Sequence, residues 1–89
     1  MSEIVKRAVA GTLESSDVYV EIEPGDGGIE IELDSVVMKQ FGAEIRRVAG
    51  EVLAEQGVSS ARLRLVDRGA LDCVIRARVE TAVVRGKGE

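Results

Sequence analysis

Val18-Tyr19-Val20-Glu21-Ile22-Glu23-Pro24-Gly25-Asp26-Gly27-Gly28-Ile29-Glu30-Ile31-Glu32-Leu33 is the stretch on which the fold turns. Val18, Val20 and Ile22 alternate with Tyr19, Glu21 and Glu23, and Ile29, Ile31 and Leu33 alternate with Glu30 and Glu32. Each run therefore reads as a half-buried strand with one apolar face. Between them Pro24 presets φ for a turn entry and the glycines accept positive φ, the strongest turn signal in the chain. The stretch predicts a β-hairpin, and the remaining elements are read outward from it.

Downstream, Asp34 or Ser35 is placed to cap a helix over residues 36–56, with Gly57 as its stop. Met38, Phe41, Ile45, Val48 and Val52 recur at spacings of three and four and form its sheet-facing stripe. Gly42 and Gly50 inside that helix each cost about 1 kcal/mol relative to Ala; either they permit close backbone approach or they are tolerated. Residues 61–66 alternate again, which adds a strand with Arg62 and Arg64 outward. After the break at Gly69-Ala70, residues 71–84 fit both a helical and an alternating period, and their length favours a helix. Upstream, residues 8–13 read as an extended segment feeding a polar turn, Glu14-Ser15-Ser16-Asp17. Residues 1–7 and 86–89 are expected to fray. The expectation is an α+β fold, a single domain over residues 1–89. A mainly antiparallel sheet of three or four strands carries two helices packed on one face.

Composition narrows the chemistry. A chain of 89 residues, 45% hydrophobic and mostly aliphatic, has room for one core and no internal cleft. There is no His and only one Cys, so no Ser-His-Asp or Cys-His pair and no zinc cluster can be drawn. No catalytic residue and no metal ligand is expected. Asp67, Arg68 and Asp72 look like an exposed acid-base set, but without a pocket to work in. Gly25-Asp26-Gly27-Gly28 lacks the Lys-Ser/Thr continuation of a phosphate-binding loop. A formal charge of −4 opposes binding to nucleic acid. Basic residues gather toward the C-terminus (Arg62, Arg64, Arg68, Arg76, Arg78, Arg85, Lys87), which suits either docking to a charged partner or a solvated face. Cys73 is expected as a buried small hydrophobe. No apolar segment follows Met1 and no apolar run approaches the ~20 residues of a membrane span, so a cytoplasmic location is expected.

What remains is the polar tip. An exposed serine at a turn can be modified by another enzyme without an activating base of its own. Ala10-Gly11-Thr12-Leu13-Glu14-Ser15-Ser16-Asp17, Lys39-Gln40-Phe41-Gly42 and Gly69-Ala70-Leu71-Asp72-Cys73-Val74-Ile75-Arg76-Ala77-Arg78 together resemble the acyl carrier protein (gamma subunit) of citrate lyase, in matching order over nearly the whole chain.

The resemblance implies a non-catalytic carrier. In that family the serine after Ala-Gly-Thr-Leu-Glu holds, through a phosphodiester, a phosphoribosyl-dephospho-coenzyme A (phosphoribosyl-dephospho-CoA) group attached by a dedicated transferase. Its thiol carries acetyl or citryl between an alpha (transferase) and a beta (lyase) subunit. By position that serine is Ser15. Some relatives have glycine where this chain has Ser16, which leaves Ser16 a lesser candidate. Glu14, Asp17, Arg68, Arg76 and Arg78 are the candidate partner-docking residues. Carriers of malonate decarboxylase or citramalate lyase, and a protein-interaction domain that is never modified, are the alternatives.

Overall fold

In the computed structural model, which describes residues 3–88, the order of elements is β1 (Ala8–Gly11), β2 (Val18–Pro24), β3 (Ile29–Ser35), α1 (Met38–Glu55), β4 (Ala61–Asp67) and α2 (Asp72–Gly86). The four strands form one sheet in the order β1-β2-β4-β3. β1–β2 and β2–β4 are antiparallel and β3–β4 is parallel, so the sheet is mostly antiparallel as expected. Val18, Val20 and Ile22 from β2, Leu63 and Leu65 from β4, and Leu33 from β3 share one face with Ile45, Val48 and Val52 of α1 and Ile75, Val79 and Val83 of α2 in a single core. The result is an α+β fold with its helices on one side of the sheet.

The hairpin does not form. β2 and β3 never pair, because β4 lies between them: Pro24 and Ile29 are both registered on Ala61. Residues 25–28 therefore cross the end of β4, a span of roughly two strand spacings, about 9.6 Å. Gly25 permits this crossing, since a Cβ there would sit 2.3 Å from the Ala61 nitrogen. The Ala61 amide donates to the Gly28 carbonyl (3.0 Å) and the Gly27 amide to the Ser60 hydroxyl (3.1 Å).

The outer face gives the electrostatic reason. Glu21 and Glu23 of β2 and Glu30 and Glu32 of β3 all point outward, and a direct hairpin would set carboxylate beside carboxylate. With β4 interposed, Arg64 stands between Glu21 (3.1 Å) and Glu32 (3.5 Å), and Arg62 between Glu23 (3.1 Å) and Glu30 (3.8 Å).

Smaller departures also have local causes. Helix α1 starts at Met38 without a side-chain cap, because Ser35 is the last residue of β3 and its hydroxyl accepts from the Val37 amide (3.0 Å) while donating to Asp67 (2.7 Å). The helix ends as read: the Gly57 amide reaches the Ala54 carbonyl (3.1 Å) and the Val58 amide the Leu53 carbonyl (2.9 Å), a Schellman pair. Of the expected stripe, Ile45, Val48 and Val52 are buried, but Met38 and Phe41 lie beyond the sheet end and are 40% and 53% exposed. Cys73 is exposed, since it sits about 200° around α2 from the buried Ile75. The two chain ends meet: Ile4 is buried, and the Val5 and Lys6 amides donate to the Gly86 carbonyl (2.9 and 3.1 Å). Residues 1, 2 and 89, where fraying was also expected, lie outside the described residues.

Candidate functional site

The sheet register gathers three connections at one end of the molecule: the β1–β2 tip (residues 12–17), the β3–α1 turn and the β4–α2 loop. The tip is closed by a β-turn in which the Asp17 amide donates to the Glu14 carbonyl (3.2 Å), with Ser15 and Ser16 as its central residues. Ser16 has φ +65°, the only positive φ outside glycine among the described residues. A positive φ at the third turn position and not at the second is the pattern of a type II turn, where glycine is the usual occupant.

The β2–β4 ladder runs on past its last strand pair into the tip. The Ser16 amide donates to the Arg68 carbonyl (2.8 Å) and the Arg68 amide to the Asp17 carbonyl (2.9 Å). Ser15 itself is exposed, and among the described residues its hydroxyl makes no hydrogen bond. It is a free hydroxyl on a turn whose backbone is tied down on the neighbouring residue.

Asp17 anchors the tip from within. Its carboxylate accepts from the Thr12 hydroxyl (2.7 Å), the Val18 amide (2.7 Å) and, in a two-pronged pair, Arg78 Nε and Nη2 (3.0 Å each). Chiefly through the Arg78 guanidinium, and through the Thr12 and Val18 donors against the cost of partial burial, its pKa is lowered from 3.8 to about 2. Gly11 makes room for this arrangement: with φ +85° a Cβ there would run into the Val18 carbonyl and approach Arg78 Cδ to 3.3 Å.

Beneath the β4–α2 loop lies Asp67, which is 1% exposed, so the expected exposed acid-base set with Arg68 and Asp72 does not exist. Its carboxylate accepts from the Ser35 hydroxyl (2.7 Å) and the Ala70 amide (2.9 Å), and its carbonyl from the Val36 amide (3.2 Å). It thus fastens the β3–α1 turn and the β4–α2 loop to the strand end that supports the tip. Asp72, at the first turn of α2, has its pKa raised by partial desolvation and by the neighbouring Glu44 carboxyl.

The candidate docking residues divide. Arg76 is engaged by Glu51 (2.8 Å) and Glu55 (2.6 Å) across the two helices, and Arg78 and Asp17 by each other. Glu14 and Arg68 are exposed at the tip, with no ion pair among the described residues. Beside them Val36, Phe41 and Leu71 are 60%, 53% and 72% exposed, and Val37, Phe41, Ile45, Ala70 and Leu71 line an apolar groove of about 350 Å³. Among the described residues no cluster of His, Cys, Asp and Glu could hold a metal ion. Sequence reasoning gave Thr12 no role of its own, read Ser35 as a helix cap and read Asp67 as exposed, so it missed their part in bracing this end of the sheet. It also missed the pairing of Asp17 with Arg78, since nothing local connects residues 61 positions apart.

A family profile described as malonate decarboxylase delta subunit matches residues 5–86. The chain is 58% identical over 84 residues to the citrate lyase acyl carrier protein of Escherichia fergusonii, covering 93% of this chain and 87% of that one. It is 52% identical over 83 residues to the protein of that name from Pectobacterium carotovorum (93% and 86% covered). It is 52% identical over 87 residues to that of Haemophilus influenzae (98% and 90%). A chain in the crystal structure of a Pseudomonas malonate decarboxylase hetero-tetramer in complex with malonate superposes with a TM-score of 0.78 at 25% identity, covering 90% of this chain and 82% of that one.

Proposed function

Since this chain belongs to the citrate lyase acyl carrier protein family, we propose that it is the acyl carrier subunit of a citrate lyase, with Ser15 as the attachment point of its prosthetic group. The observation that carries this reading is the exposed Ser15-Ser16 pair, with no side-chain hydrogen bond among the described residues, on a tethered turn at the end of the molecule where three connections converge. Ser15 is taken as the attachment point by its position after Ala10-Gly11-Thr12-Leu13-Glu14.

A bulky covalent group fits at this position. Among the described residues the Ser15 hydroxyl has no hydrogen bond to lose when it is esterified, and the exposed Arg68, whose backbone is bonded to Ser16 and Asp17, puts a cation on the segment next to the tip, which suits a phosphodiester. The group proposed is phosphoribosyl-dephospho-CoA, which supplies the thiol on which acetyl and citryl are carried. The chain itself does no bond chemistry: it holds the serine outward for the transferase and then presents the loaded arm. Its partners are the prosthetic-group transferase and the alpha and beta subunits, which exchange acetyl for citrate and cleave the citryl group to oxaloacetate. The exposed Val36, Phe41 and Leu71 and the unpaired Glu14 and Arg68 form the surface proposed to meet them.

Citrate is favoured over malonate by identity: 52–58% to citrate lyase carriers against 25% to the malonate decarboxylase chain. A cytoplasmic location is part of this reading, and an exposed, unpaired Cys73 suits such a reducing compartment. Among the described residues no helix is long and apolar enough to cross a membrane.

The test is intact mass and peptide mapping of protein co-expressed with the transferase system. The expected result is one added phosphoribosyl-dephospho-CoA on the Ser15 peptide, lost in Ser15→Ala and kept in Ser16→Ala. A chain left bare while a known carrier is loaded in the same cells would make it an unmodified interaction domain. Charging of the loaded chain by citrate lyase subunits, set against malonate decarboxylase and citramalate lyase subunits, distinguishes the three carrier classes.

A further inference from the structure

We infer that Asp17 and Arg78 form a latch that holds the tip in the one shape in which Ser15 is offered for modification, which makes Arg78, on α2, a positioning residue for that reaction. The inference rests on the reading of Ser15 above.

The tip needs an external hold. Residues 12–16 are exposed and bring no apolar side chain to the core, and Ser16 is held at φ +65°, a conformation that an L-residue adopts at a cost. A six-residue connection with those properties would sample many shapes if left alone. The backbone bonds of Ser16 and Asp17 to Arg68 hold its second half, and the side-chain hold is one carboxylate with its acceptor sites filled: Thr12 from the start of the tip, Val18 from its end, and both prongs of Arg78. Arg78 reaches the tip because Gly11 has no side chain in its path.

The latch is separable from the fold. Helix α2 is seated by Ile75, Val79, Ala82 and Val83, each at most 1% exposed, whereas the Arg78 side chain is 41% exposed at the rim. Releasing the guanidinium loosens the tip, which keeps its backbone bonds to Arg68, and leaves the body in place. If the modifying enzyme accepts only the latched shape, its apparent affinity falls by the fraction of tips in that shape, while turnover at saturation is unchanged.

The experiment uses the full-length unloaded chain with the prosthetic-group transferase and its nucleotide precursor. It compares wild type with Arg78→Gln, Arg78→Lys, Asp17→Asn and the double variant Asp17→Asn/Arg78→Gln, and follows amide exchange by NMR on the same proteins. Arg78→Gln is expected to raise KM for the carrier on the order of tenfold, the size of one lost charge-assisted hydrogen bond, with kcat within about twofold. Asp17→Asn should do the same, the double variant no more than the worse single, and Arg78→Lys should recover part of the loss. Exchange at the Ser16 and Arg68 amides should accelerate about tenfold in Arg78→Gln while Val20 and Val79 are unchanged. Single effects that multiply in the double variant would mean two independent contacts with the transferase and no latch. An unchanged KM, or unchanged exchange at Ser16, would equally overturn it. Should wild type itself fail to be loaded, the Ser15 reading is the one that falls, and the exchange measurement still decides the latch.

Discussion

Ser16 shows how a single backbone angle separates two chemically identical neighbours. Its φ of +65° suits glycine and strains serine, so Ser16→Gly should raise stability by about 0.5–1 kcal/mol, read as the urea midpoint, and leave loading at Ser15 intact. A loss of loading in that variant would move the attachment to Ser16. The sequence resemblance puts Ser15 first by its position after Ala10-Gly11-Thr12-Leu13-Glu14 and leaves Ser16 a lesser candidate, and the positive φ marks position 16 as one that suits glycine. Cys73 is the opposite case, where an apolar neighbourhood in sequence suggested burial and the helix phase places the thiol outside. A maleimide should therefore label Cys73 in the folded protein at a rate within a few-fold of that in denaturant; protection by orders of magnitude would contradict the exposed placement. Side-chain partners were the least legible feature. Asp17, Arg76 and Arg78 stand among the docking candidates in the sequence, and their pairing inside the molecule, Asp17 with Arg78 and Arg76 with Glu51 and Glu55, is not legible there.

At the scale of elements, periodicity locates β2, β3, β4 and α1, because alternation and a three-to-four repeat are local properties of the chain. Helix α2 fits both periods and is read from its length, and β1 only as an extended segment. Strand order was not legible in the same way. Gly25-Asp26-Gly27-Gly28 signals a reversal whether the next strand pairs beside the last one or a strand further away. The deciding fact, two acidic strands and one basic strand of matching length, is visible only when the runs are compared with one another. Gly50 resolves the question left open for helix α1: a Cβ there would meet nothing within 4 Å, so it is tolerated and serves no close approach. Gly50→Ala should stabilise the protein by about 0.5–1 kcal/mol, seen as a higher midpoint in urea with unchanged m-value. Gly42 differs, since its Cβ would come within 2.8 Å of the Met38 sulfur and require that side chain to move.

Over the whole molecule, the charge asymmetry of the sequence is resolved by folding into pairs. Of the basic residues concentrated near the C-terminus, Arg62, Arg64, Arg76 and Arg78 meet carboxylates, while Arg85 and Lys87 donate to the Val9 and Gln56 carbonyls. Arg68, at the tip, is the one member of that group with no such partner among the described residues. This pairing sets how the fold responds to acid. Glu3, held by the Ser59 hydroxyl, and Asp17, held by Arg78, have lowered pKa values. So does Glu44, held by Arg47, and Glu21, whose desolvation is outweighed by hydrogen bonds from Tyr19 and Arg7. A carboxyl whose pKa is depressed on folding contributes stability that is present above its unfolded value and is lost as pH falls through its folded value. Asp72, with its pKa raised, acts in the opposite sense, one group against four. The thermal midpoint should therefore hold steady from pH 7 to about pH 5 and fall progressively below about pH 4.5. Asp17, lowered to about 2, should be among the last of these groups to release its partner. Asp17→Asn separates that contribution from the rest: its midpoint should lie below wild type at neutral pH and converge on it as pH approaches 2. A gap between the two proteins that stays constant across that range would mean that the Asp17 side chain acts through packing and not through its charge.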